Sequence, residues 1–194
     1  GGWTAGTGTT APAAQQNDTT GNTVTLKAGT VTNLYGGYTT SPNGKATGNT
    51  ANVNGGAATN VIGGYTAAPT GRATGNIVNI SGGTFQKRVY GGYSDKYGTV
   101  TGNKVTITGG TFQDLVYGGA GGDTSGTGTF TVNNNTVTIA GGTFSSNIYG
   151  GYSWKADGTT EKNTVNLGDD THHDLSGTTL SASNISGGNK AATG

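Results

Sequence analysis

The sequence predicts an all-β fold, a right-handed parallel β-helix (β-solenoid) of about six coils with a ~27-residue repeat. Three observations carry this. An Asn recurs in phase at Asn22, Asn49, Asn76, Asn103, Asn135 and Asn163, in steps of 27, 27, 27, 32 and 28 residues. After it the chain alternates apolar and polar with period two. Gly-Gly pairs then return at fixed offsets, as in "GNIVNISGGTFQKRVYGGYS" (75–94) and "GNKVTITGGTFQDLVYGG" (102–119).

Each unit opens on a strand. Val24 and Leu26, Val78 and Ile80, Val105 and Ile107, Val137 and Ile139, and Val165 and Leu167 share one face. Such alternation with β-branched enrichment marks a half-buried strand. The same parity turns the six Asn inward, where each side chain needs hydrogen-bond partners. A ladder of stacked amides supplies them if equivalent positions lie one strand spacing apart, about 4.8 Å. An antiparallel sandwich offers short strands too, but gives no reason for a near-constant period with an in-phase Asn.

The glycine pairs follow. Corners of a coil need positive φ or close backbone approach, which Gly supplies without steric cost. Gly82-Gly83 is expected to end one strand and Gly91-Gly92 to punctuate another. Next comes Tyr-Gly-Gly-Tyr, whose tyrosines are three residues apart. A regular strand puts such residues on opposite faces, one stacked inside and one outside. The phrase supplies Tyr35, Tyr38, Tyr65, Tyr90, Tyr93, Tyr117, Tyr149 and Tyr152. Polar loops such as "SPNGKAT" (41–47) and "APTGRAT" (68–74) close the unit with turn-forming residues.

Two segments stand outside the repeat. Residues 1–20 show no alternation and read as a Gly/Thr-rich linker or tail, leaving 21–194 as the solenoid domain. The end, "ISGGNKAATG" (185–194), matches the close of a unit, so the expectation is a segment of a longer array or one whose ends are covered by neighbours.

Composition narrows the function classes. Of 194 residues, 40 are Gly and only 10% are charged, against roughly 25% in ordinary globular proteins. The formal net charge of +1 creates no field to draw nucleic acid. There is no apolar run long enough for a membrane span. Without Cys there is no disulfide, thiol catalysis or cysteine-held zinc. Carboxylates are scattered across loops, whereas glycoside cleavage needs them paired. The acidic cluster "GDDTHHD" (168–174) and the calcium-type phrase "GGAGGDTSG" (118–126) each occur once, and neither is taken as a metal site. Thr-x-Thr rows of an ice-binding kind are broken by Ile77 and Lys104. The expectation is a non-enzyme with no catalytic residue, cofactor or metal. Tyr38, Tyr65, Tyr93 and Tyr152 are the candidate ligand-stacking aromatics, since rings give contact area at small entropic cost. The opposing reading is that tyrosines stack on one another and stabilise the coil edge.

The phrase "GNxVxIxGGTFxxxVYGGYS" resembles repeats in passenger regions of bacterial autotransporter-like adhesins and of large secreted haemagglutinin-like proteins, over about residues 21–167. The resemblance implies an extracellular or bacterial cell-surface β-helix acting as an adhesive stalk. Host or neighbouring-cell surface glycans or proteins are the implied partners. The alternative is a structural subunit that polymerises into an extracellular filament, by end-to-end self-association or by the tail acting as a donor strand.

Overall fold

The computed structural model describes residues 17–122, 128–169, 175–181 and 184–191, together with the backbone of residues 2–4. Every element among them is a strand and every pairing is parallel, with partners mostly 27 residues apart. The chain is a β-solenoid whose strands stack in four columns. Three columns join into one fifteen-stranded sheet, and the fourth is a six-stranded sheet.

The first column holds the Asn-led strands: Thr23–Leu26, Thr50–Val53, Ile77–Ile80, the opening halves of Lys104–Phe112 and Thr136–Phe144, and Thr164–Leu167. Val78, Ile80, Val105, Ile107, Val137 and Ile139 are buried in it, on the parity the alternation dictates. At the next corner one glycine of each coil takes a left-handed φ, the second of a Gly-Gly pair in all but the first coil, where Ala28 precedes it: Gly29, Gly56, Gly83, Gly110 and Gly142 lie between 81° and 108°. Only Gly adopts that region freely.

The second column follows the corner. Phe85, Phe112 and Phe144 stack there with centroids 4.8 and 4.6 Å apart, and Ala58 and Leu180 hold the equivalent places beside them. These rings and the first column's Val and Ile form the main core with Val61, Val89, Val116 and Ile148. Burying each such side chain is worth about 1.5–3 kcal/mol, so this cluster supplies most of the driving force.

The third column is the Tyr-Gly-Gly-Tyr stretch, in Thr30–Thr39, Ala57–Thr66, Val89–Ser94, Val116–Gly121, Ile148–Ser153 and Ile185–Lys190. Gly91-Gly92 does not punctuate a strand here; it lies inside one, and neither residue has positive φ. The two glycines answer different contacts. A Cβ on Gly91 would stand 2.3 Å from the Gly118 carbonyl oxygen of the next coil, and the same clash recurs at Gly36, Gly63, Gly118 and Gly150. A Cβ on Gly92 would stand 2.4 Å from Asn103 Nδ2, and one on Gly64 or Gly119 would stand 2.3 or 2.7 Å from Nδ2 of Asn76 or Asn135. One glycine lets the coils approach, and the other makes room for the amide.

The fourth column pairs Thr19–Thr20, Lys45–Thr47, Arg72–Thr74, Gly98–Thr101, Phe130–Asn133 and Thr159–Glu161. Ala73, Val100, Phe130 and Val132 form its small core.

The linker reading of residues 1–20 is corrected at both ends. Thr19–Thr20 is a strand of the fourth column, and Gly2–Thr4 pairs with Gly37, Tyr38 and Thr39. The reason is visible in "GGWT" (1–4), which has the form of "GGYT" (36–39): residues 2–4 form one more rung of the third column. They pair within this chain, where a donor strand would pair with another. Residues 5–16 lie outside the described residues.

Candidate functional site

Two columns carry the unusual chemistry, an amide ladder inside and an aromatic stripe outside. The ladder is set by the residue before each Asn. Gly21, Gly48, Gly75 and Gly102 have φ between 61° and 65°, and Asn134 and Lys162 adopt 55° and 52° in the later coils. This left-handed residue turns the chain from the fourth column into the first and aims the Asn side chain inward.

Asn22, Asn49, Asn76 and Asn103 each donate from Nδ2 to Oδ1 of the next Asn at 2.9–3.0 Å, and Asn135 does the same to Asn163. The backbone N–H of each of these residues donates to the same oxygen. In Asn49, Asn76, Asn103, Asn135 and Asn163 an Nδ2 proton goes to a fourth-column carbonyl, of Thr19, Ala46, Ala73, Val100 and Val132 in turn. An amide has two donors and two acceptor lone pairs. Asn49, Asn76, Asn103 and Asn135 use all four, and all four residues are buried. Such a network costs no unpaired group and admits one register only.

The tyrosines do not divide between faces. Both members of each pair belong to one outward cluster: Tyr35–Tyr38, Tyr90–Tyr93 and Tyr149–Tyr152 have centroids 4.9, 4.8 and 5.2 Å apart. The cause is the first glycine. Pairing passes from Tyr90 to Gly92 and skips Gly91, so one extra residue resets the alternation. The result is a continuous stripe along the coils. Tyr90, Tyr117 and Tyr149 are buried beneath it, while Tyr38, Tyr65, Tyr93 and Tyr152 are half-buried.

Along the stripe the rings cover one another. Tyr38–Tyr65 and Tyr90–Tyr117 are stacked at 4.8 and 5.1 Å, with planes 4° and 8° apart. Of the four candidate ligand-stacking tyrosines, Tyr38 and Tyr65 thus engage each other face to face, while Tyr93 and Tyr152 make tilted or edge contacts. The sequence reading missed Trp154. In the third column Ala120 takes the place between Tyr93 and Tyr152, and Trp154 packs against the cluster there. It lies 5.8 Å from Tyr93, 5.7 Å from Tyr117 and 5.4 Å from Tyr152. The signal was present: "YGGA" lacks the second Tyr, and "YGGYSW" carries an added ring. The guanidinium of Arg88 sits 5.7 Å over Trp154, donates to the Tyr90 hydroxyl at 3.3 Å and pairs with Asp114 at 3.8 Å.

Burial pushes the phenols of Tyr65, Tyr93 and Tyr117 well above their ordinary range, with the Asp95 carboxylate adding to the shift of the first two. The Tyr93 hydroxyl donates to Asp95 at 3.2 Å. These three phenols are neutral at physiological pH.

Among the described residues no group of three or more His, Asp or Glu is placed to hold a metal ion. Most of the acidic cluster at 168–174, and residues 123–126 of the calcium-type phrase at 118–126, lie outside those residues. No protein-family model, curated protein or solved structure matches the chain.

Proposed function

We propose that the chain is a non-enzymatic structural or adhesive β-solenoid of the bacterial cell surface or extracellular space, a stiff stalk that displays its outer face to glycans or proteins of a neighbouring cell. The amide ladder carries the reading. A polar column, fully bonded at Asn49, Asn76, Asn103 and Asn135, adds stiffness and a single register to the stacked coils. The resemblance of the repeats to adhesin passenger regions supports the location, and the low charge and the absence of Cys are compatible with it.

The second reading is a subunit of an extracellular filament, favoured by the polarity of the ladder. Each coil offers N–H donors on one edge and an Oδ1 acceptor on the other, so coils add head to tail, within one chain or between chains. Electron microscopy and light scattering of the purified chain at rising concentration separate the two. Short single rods that bind glycan- or protein-coated surfaces support the stalk, and fibres lengthening with concentration support the filament. Turnover of a polysaccharide would overturn both.

A further inference from the structure

Independently of that reading, we infer that the outer tyrosine row, Tyr38, Tyr65 and Tyr93, is a site of oxidative modification: intrachain dityrosine bonds that staple successive coils. Register places Tyr38, Tyr65 and Tyr93 directly over one another in three coils. Their centroids are 4.8 and 5.3 Å apart, so each ring is already held beside its reaction partner. Such positioning replaces a bimolecular encounter with an intramolecular one. The three rings are half-buried, with part of each reaching solvent, whereas Tyr90 and Tyr117 beneath them are 5% and 2% exposed. Tyr65–Tyr93, tilted by 37°, needs a smaller swing toward a twisted biaryl than the parallel Tyr38–Tyr65 pair, tilted by 4°.

The co-reactants are hydrogen peroxide and a haem peroxidase. Each phenol loses one electron and its hydroxyl proton, and the Asp95 carboxylate is hydrogen-bonded to receive that of Tyr93. The two phenoxyl radicals join ortho carbon to ortho carbon. Each ortho hydrogen then moves to its ring oxygen, restoring two phenols. Peroxide takes up the two electrons and two protons and becomes water. The chain loses two hydrogen atoms per bond formed.

The test treats the purified full chain, dilute, with horseradish peroxidase and limiting peroxide. Tryptic digestion separates the three tyrosines, because Lys45 and Arg72 lie between them and Lys96 follows. The expected product is monomeric, shows dityrosine fluorescence, is lighter by two hydrogen atoms, and joins peptide 46–72 to peptide 89–96 or 28–45. Tyr65→Phe keeps the ring and the stack and is expected to lose most of the intrachain product at unchanged circular dichroism. Tyr97→Phe, outside the stripe, is expected to keep it. Wild-type monomer recovered without linked peptides, links formed only between chains, or links through Tyr97 would overturn the proposal, as would undiminished intrachain product in Tyr65→Phe.

Discussion

Replacing Asn103 by Leu tests the ladder where it is most enclosed. The Asn103 amide donates to Asn135 Oδ1 and to the Ala73 carbonyl, both at 2.9 Å, and accepts from the N–H and Nδ2 of Asn76, both at 2.9 Å. Leu provides none of these. The Asn76 N–H, one Asn76 Nδ2 proton and the Ala73 carbonyl lose their ladder partners in a water-free interior. Asn135 Oδ1 still receives the backbone N–H of residue 103 at 3.0 Å. Each orphaned buried group costs about 1–3 kcal/mol, and three that partly relax sum to about 3–6 kcal/mol. In a chain of this length each kcal/mol moves the melting temperature by roughly 2–4 °C, so the fall is roughly 6–24 °C. Thermal melting by circular dichroism reads the shift. Asn52→Leu is the control: Asn52 accepts an amide bond from Asn79 on the outer surface, where water replaces it, and its cost is about 0.5 kcal/mol or less. Equal melting shifts for the two variants would refute the claim that the inner ladder is what fixes the register.

Three further outcomes follow from the backbone and the stripe. Gly75→Ala meets open space and pays only for its φ of 61°, about 1–2 kcal/mol. Gly92→Ala instead drives a Cβ into the Asn103 amide at 2.4 Å, so urea midpoints are expected to rank wild type above Gly75→Ala above Gly92→Ala, and the reverse order of the variants would remove the packing argument. Lys162 is strained at a φ of 52°, so Lys162→Gly is expected to raise stability by about 0.5–1 kcal/mol after the added chain entropy is subtracted, read as a higher urea midpoint. The phenols of Tyr65, Tyr93 and Tyr117 ionise at higher pH folded than unfolded, because burial disfavours phenolate. Their contribution is therefore fully present below about pH 10, the unfolded value, and is lost as pH rises above it. Melting temperature is expected to show no tyrosine-dependent change through neutral pH and to fall on alkaline titration as phenolate absorbance grows. A phenolate signal complete near pH 10 with no loss of stability would show the stripe to be solvated.

Much of the fold was legible because its determinants are local. Period-two alternation assigns side chains to faces without knowing what lies opposite, so the inward Val, Ile and Asn could be read from 76–80 or 103–107 alone. The 27-residue recurrence then implied stacking, because an inward Asn needs an identical neighbour one rung away. The positive φ at Gly83 was legible too, since a coil must turn after its strand.

What the tertiary structure decided concerns neighbours from other coils. Gly91 is glycine because a carbonyl from the next coil occupies the place of its Cβ, and Gly92 because the Asn103 amide does. Neither contact has a local trace, and the extra residue they introduce carried both tyrosines to one face against the strict alternation. Ala120 and Trp154 come together only once coils stack, 34 positions apart in sequence, so a ring missing in one coil is supplied by the corner of the next. Periodicity within a strand is a property of the backbone and travels with the sequence. The close approach of one coil to another exists only after the chain has wound, and there it chose between a hydrogen atom and a methyl group at each glycine.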